Sequence, residues 1–508
     1  MNLATISVKG LTGQSLSLSE RAMAFCRTAK QLEKAGEFEL AREALLEFWP
    51  EQDKPPVLDG LAPPAEAEVL LRVGALTAAL GSVAQTAGGQ ESAKNLITRS
   101  IEIFEGLGEV QRVAEARSDL ALCYWREGAF DEARINLTRA LADLKDHDGD
   151  LKAVIMVRAG MVEMFARRLN DALQIHTAVA SLVNQSTDET LKGAFHNGLG
   201  LVLRNLAPLE NREDYLDRAL IEYAAASFHF EQAGNTRYQA SVEINLGFLF
   251  CTLGKFDEAH EHLDRARRLF VQLNDNVHLA QVNDTRARTF LGEGRLSEAE
   301  RFARAAVKTF ERGGEQSLLT EALTTRGIIT ARLGKHAVAR ASLERAIEVA
   351  EVAGDLEGAG RARLSIIEEL EQQTPPSELA SLYDSAAEYM RQSQDPAAAR
   401  RLVECSRIVI GALERSDVVA EQPQVHNWNG FSLRKQTLQF EKTLIERALR
   451  DSGGAVTKAA RLLGLNNHQS LIAVLNGRHK DLLGVRTAVR IRRRAIMSDR
   501  KARAANAD

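Results

Sequence analysis

The chain has 508 residues, 45% of them hydrophobic and 26% charged, with 10 prolines, 35 glycines and a mean hydropathy of -0.22, which excludes a disordered, collagen-like or Pro-rich chain. Four cysteines over that length exclude a disulfide scaffold and point to a reducing compartment. The net charge of -4 hides an asymmetry: from Leu433 onward 17 Lys and Arg face 6 Asp and Glu, a balance of +11, while the remainder holds 48 against 63, a balance of -15.

An acidic body with a basic end suits a polyanionic partner. The stretch from Met1 to Glu20 has no basic segment followed by an apolar run. Ala65 to Ala87 is apolar but broken by Glu66, Glu68 and Arg72, so neither a signal peptide nor a membrane helix is expected. The reading is of a cytoplasmic, nucleoid-associated protein with no membrane contact.

A repeat then runs along the chain. Gly, one residue, an apolar residue, two residues and Ala recur as Gly36-Glu-Phe38-Glu-Leu-Ala41, Gly128-Ala-Phe130-Asp-Glu-Ala133, Gly254-Lys-Phe256-Asp-Glu-Ala259 and Gly294-Arg-Leu296-Ser-Glu-Ala299. Weaker copies end at Ala93, Ala172, Ala219 and Ala339, and the eight alanines are spaced 52, 40, 39, 47, 40, 40 and 40 residues apart. The two long intervals contain Pro50 to Pro64 and Pro208, where helices cannot continue. In the best copy a helix from Arg237 to Leu253 stops at Gly254, and a second one places Ala259, Leu263, Ala266 and Phe270 on one stripe. Gly247 and Ala259 are small where the two helices cross. One pair cannot bury its own apolar face, so stacking must supply the core.

These residues resemble the tetratricopeptide repeat in a forty-residue spacing. The match is carried by Leu246, Gly247, Phe250, Gly254, Phe256, Ala259, Leu263 and Ala266, and again by Leu120, Ala121, Tyr124, Gly128, Phe130, Ala133, Leu137 and Ala140. It spans roughly residues 20 to 350, with an extension to 415 left open, and the early Trp and closing Pro of the family are mostly absent. The resemblance implies that the first helix of each unit lines a groove. Trp125, Asn197, Arg204, Asn245, Asp284 and Arg288 are the groove candidates for a protein or peptide partner. Asn245 sits where peptide-binding members carry a backbone-clamping Asn, and Arg204 with Arg288 suits a carboxylate. The plainer alternative is a solvated polar surface.

The solenoid is assigned to 1–415, closed by irregular capping helices at about 377–415, with a linker at 416–432. A domain at 433–482 follows, and a basic tail at 483–508. Leu433 to Arg450 is an amphipathic helix stopped by Gly453-Gly454. Thr457 to Leu463 is a short helix with Thr457 as a capping residue, Gly464 to Asn467 a turn, and His468 to Leu475 a third helix. That is helix-turn-helix geometry, with Ala459 and Ala460 at the crossing and Leu463, Leu465, Leu471 and Leu475 as core. Asn467, His468, Gln469 and Ser470 would meet base edges.

The run Gly453-Gly454-Ala-Val-Thr457-Lys458-Ala-Ala-Arg-Leu-Leu-Gly464-Leu-Asn466 resembles the helix-turn-helix of Fis-type nucleoid proteins, over about 45 residues. The third helix is about one residue longer before Leu471 than the usual form. The resemblance implies a homodimer on two half-sites of double-stranded DNA, with the long helix at the dimer surface. Thr457, Lys458, Asn466 and the four residues after it would face DNA. Arg478, His479, Lys480, Arg486, Arg490, Arg492, Arg493 and Arg494 supply phosphate contacts.

The whole is an all-α chain, a tetratricopeptide-like solenoid followed by a small Fis-type domain, read as a transcriptional regulator. The competing reading is a scaffold whose basic tail docks an acidic partner or RNA. No phosphate-binding Gly-x-x-x-x-Gly-Lys loop and no Gly-x-Ser-x-Gly elbow occur. His468 and His479 have no partner at metal-ligand spacing, so no enzyme, metal or cofactor is expected. Cys26, Cys123, Cys251 and Cys405 fall within helical stripes as buried thiols.

Overall fold

The repeat register predicts where helices must pack, and the chain obeys it. A computed structural model describes residues 16–85, 88–207, 213–420, 432–465 and 467–485. No strand occurs among them. Contacts divide the chain into a unit ending at Val419 and a second beginning at Ala420.

The first unit is a row of antiparallel helix pairs, from Leu18–Lys34 with Phe38–Ala44 to Leu356–Glu369 with Pro376–Tyr389, followed by Pro396–Ala420. All eight anchor alanines are fully buried. The best copy folds as Thr236–Thr252 and Phe256–Gln272. Gly254 takes φ +71°, its N–H donates to the Cys251 carbonyl at 3.0 Å, and Lys255 N–H reaches the Phe250 carbonyl at 2.9 Å, which satisfies the last turn. A methyl group at Gly247 would come within 2.8 Å of Leu263 Cγ, so the small residue permits the crossing. Leu263 and Phe270 are fully buried; each such side chain contributes roughly 1.5–3 kcal/mol. The register also outlives its last alanine: Leu379, forty residues after Ala339, is fully buried. The last helix runs on to Ala420, into the stretch expected to be linker.

Helix Pro63–Ala84 is long and apolar enough to cross a membrane, and 89% of that apolar window is buried within the solenoid. Its apolar residues drive that packing, and its buried charges are paired within it. Arg72 is buried and gathers Glu33 at 3.0 Å, Glu115 at 2.7 Å and Asp119 at 3.2 Å from neighbouring repeats.

Repeats distant in sequence also touch. Lys34 Nζ meets Asp188 Oδ2 at 2.8 Å, Asn235 Nδ2 donates to the Lys34 carbonyl at 2.9 Å, and Arg237 Nε donates to the Gly36 carbonyl at 3.0 Å. Gln85 Nε2 donates to Glu315 at 2.6 Å. Gln394 accepts from the first amides of helix Leu169–Gln185 at 3.0 and 3.1 Å. The solenoid therefore closes successive turns of its superhelix on one another.

The second unit has helices Leu433–Asp451, Val456–Leu462 and His468–Gly477, and a 3-10 segment Lys480–Val485. Ile445, Ala448, Leu449, Ala459, Ala460, Leu471, Leu475 and Leu482 form its core. Leu463 and Leu465 pack at its margin.

Candidate nucleic-acid interface

The third helix of the second unit is fixed from behind and free in front. Leu471 and Leu475 are fully buried against the long helix and the Ala459–Ala460 crossing. Ahead of them Asn467, His468, Gln469 and Ser470 are all exposed. Asn467 is the N-cap: its Oδ1 accepts from Ser470 N at 2.9 Å and from Ser470 Oγ at 3.0 Å. Its amide nitrogen is thus the part left to meet a base edge. His468 and Gln469, the first two helical residues, present whole side chains.

Thr457 and Lys458 are exposed on the short helix. Thr457 is not the cap expected of it: Ala455 holds that place and Thr457 lies inside the first turn. His479 needs a larger correction. It is 3% exposed, with Nε2 at 3.2 Å from Glu441 Oε2, so it ties the end of the third helix to the long helix and is withdrawn from phosphate contact. Lys442 pairs with Asp481 beside it, and the buried Leu482 completes this closure. Arg478 lies 3.5 Å from the same Glu441 yet keeps a largely exposed side chain, and Lys480 is exposed. Asn466, Arg486, Arg490, Arg492, Arg493 and Arg494 lie outside the described residues.

The long helix is only half used by this core. Leu433 is 71% exposed, Phe440 58% and Leu444 43%. Their spacing of seven and four residues puts them on one side of the helix.

In the solenoid the groove candidates separate into two clusters and a lone Trp125. Asn245 Nδ2 donates to Asn197 Oδ1 at 2.8 Å, which joins adjacent repeats. Arg204 and Arg288 share one neighbour, the Phe248 ring, at 4.4 and 5.8 Å from its centroid. The carboxylates they face belong to the chain. Arg288 Nε donates to Asp284 at 2.8 Å and its Nη2 lies 3.5 Å from Glu321. Burial works against ionised Glu321, but Arg288, Arg361, Arg167 and Arg204 outweigh it and hold its pKa down to about 2. Trp125 stands apart, edge-on to Phe165 at 5.2 Å.

Three of the four thiols are buried, and burial pushes Cys26, Cys123 and Cys405 up to about 12. Cys251 is half-buried and raised for the same reason.

Sequence reasoning missed Arg126 and Arg158, which face a cavity in the solenoid. The only signal was indirect, in the charges Glu68 and Arg72 that break an otherwise apolar helix and mark a buried polar network beside that cavity.

Comparison with known proteins places both units. A tetratricopeptide repeat model matches residues 238–312, and the model of bacterial regulatory protein, Fis family, matches 438–469. A search of curated proteins finds no match. Among solved structures, a Rap protein complexed with competence and sporulation factor is 18% identical, covering 69% of this chain and 100% of that one, with a TM-score of 0.46. The Rap conjugation gene regulator of plasmid pLS20 in complex with the Phr* peptide is 14% identical over 67% and 97%, with a TM-score of 0.46. A signal transduction ATPase with a tetratricopeptide repeat sensor from Pyrococcus horikoshii is 15% identical over 78% and 55%, with a TM-score of 0.35. The chain carries tetratricopeptide repeats in its first unit and a Fis-type helix-turn-helix in its second.

Proposed function

We propose that the chain is a DNA-binding regulator in which the solenoid takes a ligand or partner and the C-terminal domain binds duplex DNA. The two family matches support a regulator with a protein-interaction domain. The observation that carries the DNA reading is the third helix, sealed by Leu471 and Leu475 and open at His468, Gln469 and Ser470. An element that enters a major groove needs that division between core and front. The excess of Lys and Arg beyond Leu433 supplies affinity without sequence choice. The exposed line Leu433, Phe440 and Leu444 is the surface on which two copies would pair, giving half-sites about one helical turn apart (roughly 34–36 Å).

The test is titration of the full chain with duplex DNA fragments at two salt concentrations, with single-stranded RNA as competitor. The expected result is a preference for some duplex sequences. Changing His468, Gln469 and Ser470 together to Ala should abolish the preference and leave a weaker, salt-sensitive attraction. Equal affinity for every polyanion, unaltered by those three changes, would instead support the scaffold reading. Genomic DNA that co-purifies with the intact chain would identify the site.

A further inference from the structure

A cavity of about 490 Å³ lies inside the solenoid, lined by Phe38 and by the first helices of six repeats, Leu18–Lys34 through Thr236–Thr252. That volume falls within the range of small-molecule sites, about 300–1,000 Å³. One part of its wall is apolar: Ala75, Ala78, Ala79, Leu122, Val154 and Leu191.

The charged part is mostly spent on itself. Arg72 holds Glu33, Glu115 and Asp119, Lys30 holds Glu115 at 2.6 Å, and Lys34 holds Asp188. Three donors are left over. Arg126 has no carboxylate within ion-pair distance among the described residues. Arg158 uses one guanidinium nitrogen, Nη1, on Ser118 at 2.8 Å and Asp119 at 2.7 Å, leaving the other two free to donate. Tyr238 lines the same wall, and Arg126 and Arg158 are the strongest charges acting on its hydroxyl.

We propose that this cavity binds a small free monocarboxylic acid, its carboxylate on Arg126, Arg158 and Tyr238 and its aliphatic body along Ala75, Ala78, Leu122 and Val154. A guanidinium presents paired N–H donors that match the two carboxylate oxygens. The carboxylates Glu33, Glu115 and Asp119 line the same cavity, and Asp119 already accepts from Arg158, so one added negative charge is favoured over two: a dianion such as a phosphate ester would meet them at close range. A compact molecule is favoured over an extended peptide, because the Lys34–Asp188 pair spans the cavity wall between distant repeats and a through-going chain would have to break it.

This deepens the reading of the solenoid as the ligand-taking unit and rests on it. Calorimetric titration of the full chain with octanoate needs no DNA, so its failure leaves the DNA reading intact, and lost DNA binding leaves the cavity assignment intact. Octanoate should bind, and the uncharged octanamide at least tenfold more weakly. Arg126→Ala should weaken octanoate at least tenfold without lowering the melting temperature, since Arg126 supports no ion pair, and Arg126→Lys should recover part of the loss. The proposal is overturned if octanoate does not bind at millimolar concentration, if octanamide binds equally well, or if Arg126→Ala changes nothing. It is also overturned if acetyl-trileucine, an apolar peptide with a free carboxylate, binds while octanoate does not.

Discussion

His176 shows how a single side chain can be fitted on every side. It is buried against two glycines: a methyl at Gly198 would fall 2.5 Å from its Nε2, and one at Gly160 would fall 2.6 Å from its Nδ1. Its Nδ1 donates to the Ala172 carbonyl at 2.9 Å, and its Nε2 is buried with no partner. Burial lowers its pKa, against the opposing pull of that hydrogen bond. The unfolded chain therefore takes up a proton near pH 6.5 that the folded chain refuses. The stability this histidine contributes is complete above about pH 6.5 and declines below it, by at most about 1.4 kcal/mol per pH unit. Glu321, held at about 2 by its arginines despite its burial, adds stability that is lost only below the ordinary carboxylate range. Melts at pH 7.5, 6.5 and 5.5 span this window, in which Glu357, pushed up to about 7 by burial, titrates with the opposite sign, so the histidine is read from the difference between the native chain and the variant. His176→Gln should flatten the fall in melting temperature across this window, whatever it does to the value at pH 7.5. An unchanged slope would assign the acid sensitivity to other groups.

At the scale of the element, the inter-helix turn governs the repeat. Gly128, Gly254, Gly294 and Gly334 have φ between +71° and +84°, the left-handed region that favours glycine. The turn before Leu169 makes the same bond, Arg168 N to the Glu163 carbonyl at 2.8 Å, but has Arg167 at φ +58° in the glycine place. An L side chain there costs roughly 1–2 kcal/mol, and the retained Arg serves long-range contacts. Its guanidinium meets Asn205 at 3.0 Å and Glu321 at 3.4 Å. Arg167→Ala and Arg167→Gly lose those contacts alike and differ in the strain. The Gly variant should be the more stable by about 1 kcal/mol in denaturant unfolding; equal stabilities would mean the turn relaxes. The repeats were legible in the sequence because each demands small residues at a fixed spacing. The helix-turn-helix was legible because Ala459, Ala460, Leu471 and Leu475 have to meet within a short loop. His479 was misread because a positive-looking residue near Arg478 and Lys480 is indistinguishable by type from a phosphate ligand. Only the packing of Leu482 and the approach of Glu441 draw it inward.

For the solenoid as a whole, the contacts between superhelical turns join residues 154 to 230 positions apart and follow no period, so neither they nor the cavity they border could be read from the repeat. They change how the unit responds to damage. In an open row of repeats a defect weakens its neighbours and no others. Arg237 breaks that rule. It is buried, pairs with the fully buried Asp275, donates to the Gly36 carbonyl and lies 4.8 Å from the Phe38 ring centroid. Removing one partner of a buried pair costs about 3–5 kcal/mol. Here the lower figure applies, because Asp275 still faces His278 at 2.9 Å and caps its own helix. Arg237→Leu should therefore loosen two places at once: helices Thr236–Thr252 and Asn276–Gly292 around it, and helices Leu18–Lys34 and Phe38–Ala44, some 200 residues away in sequence. Hydrogen exchange with peptide-level readout resolves both. Protection should fall in 18–44 and 236–292 and hold in 296–353, where no described residue bonds to or pairs with Arg237. If 18–44 keeps its protection while 236–292 loses it, the turns merely touch and the solenoid behaves as an open row.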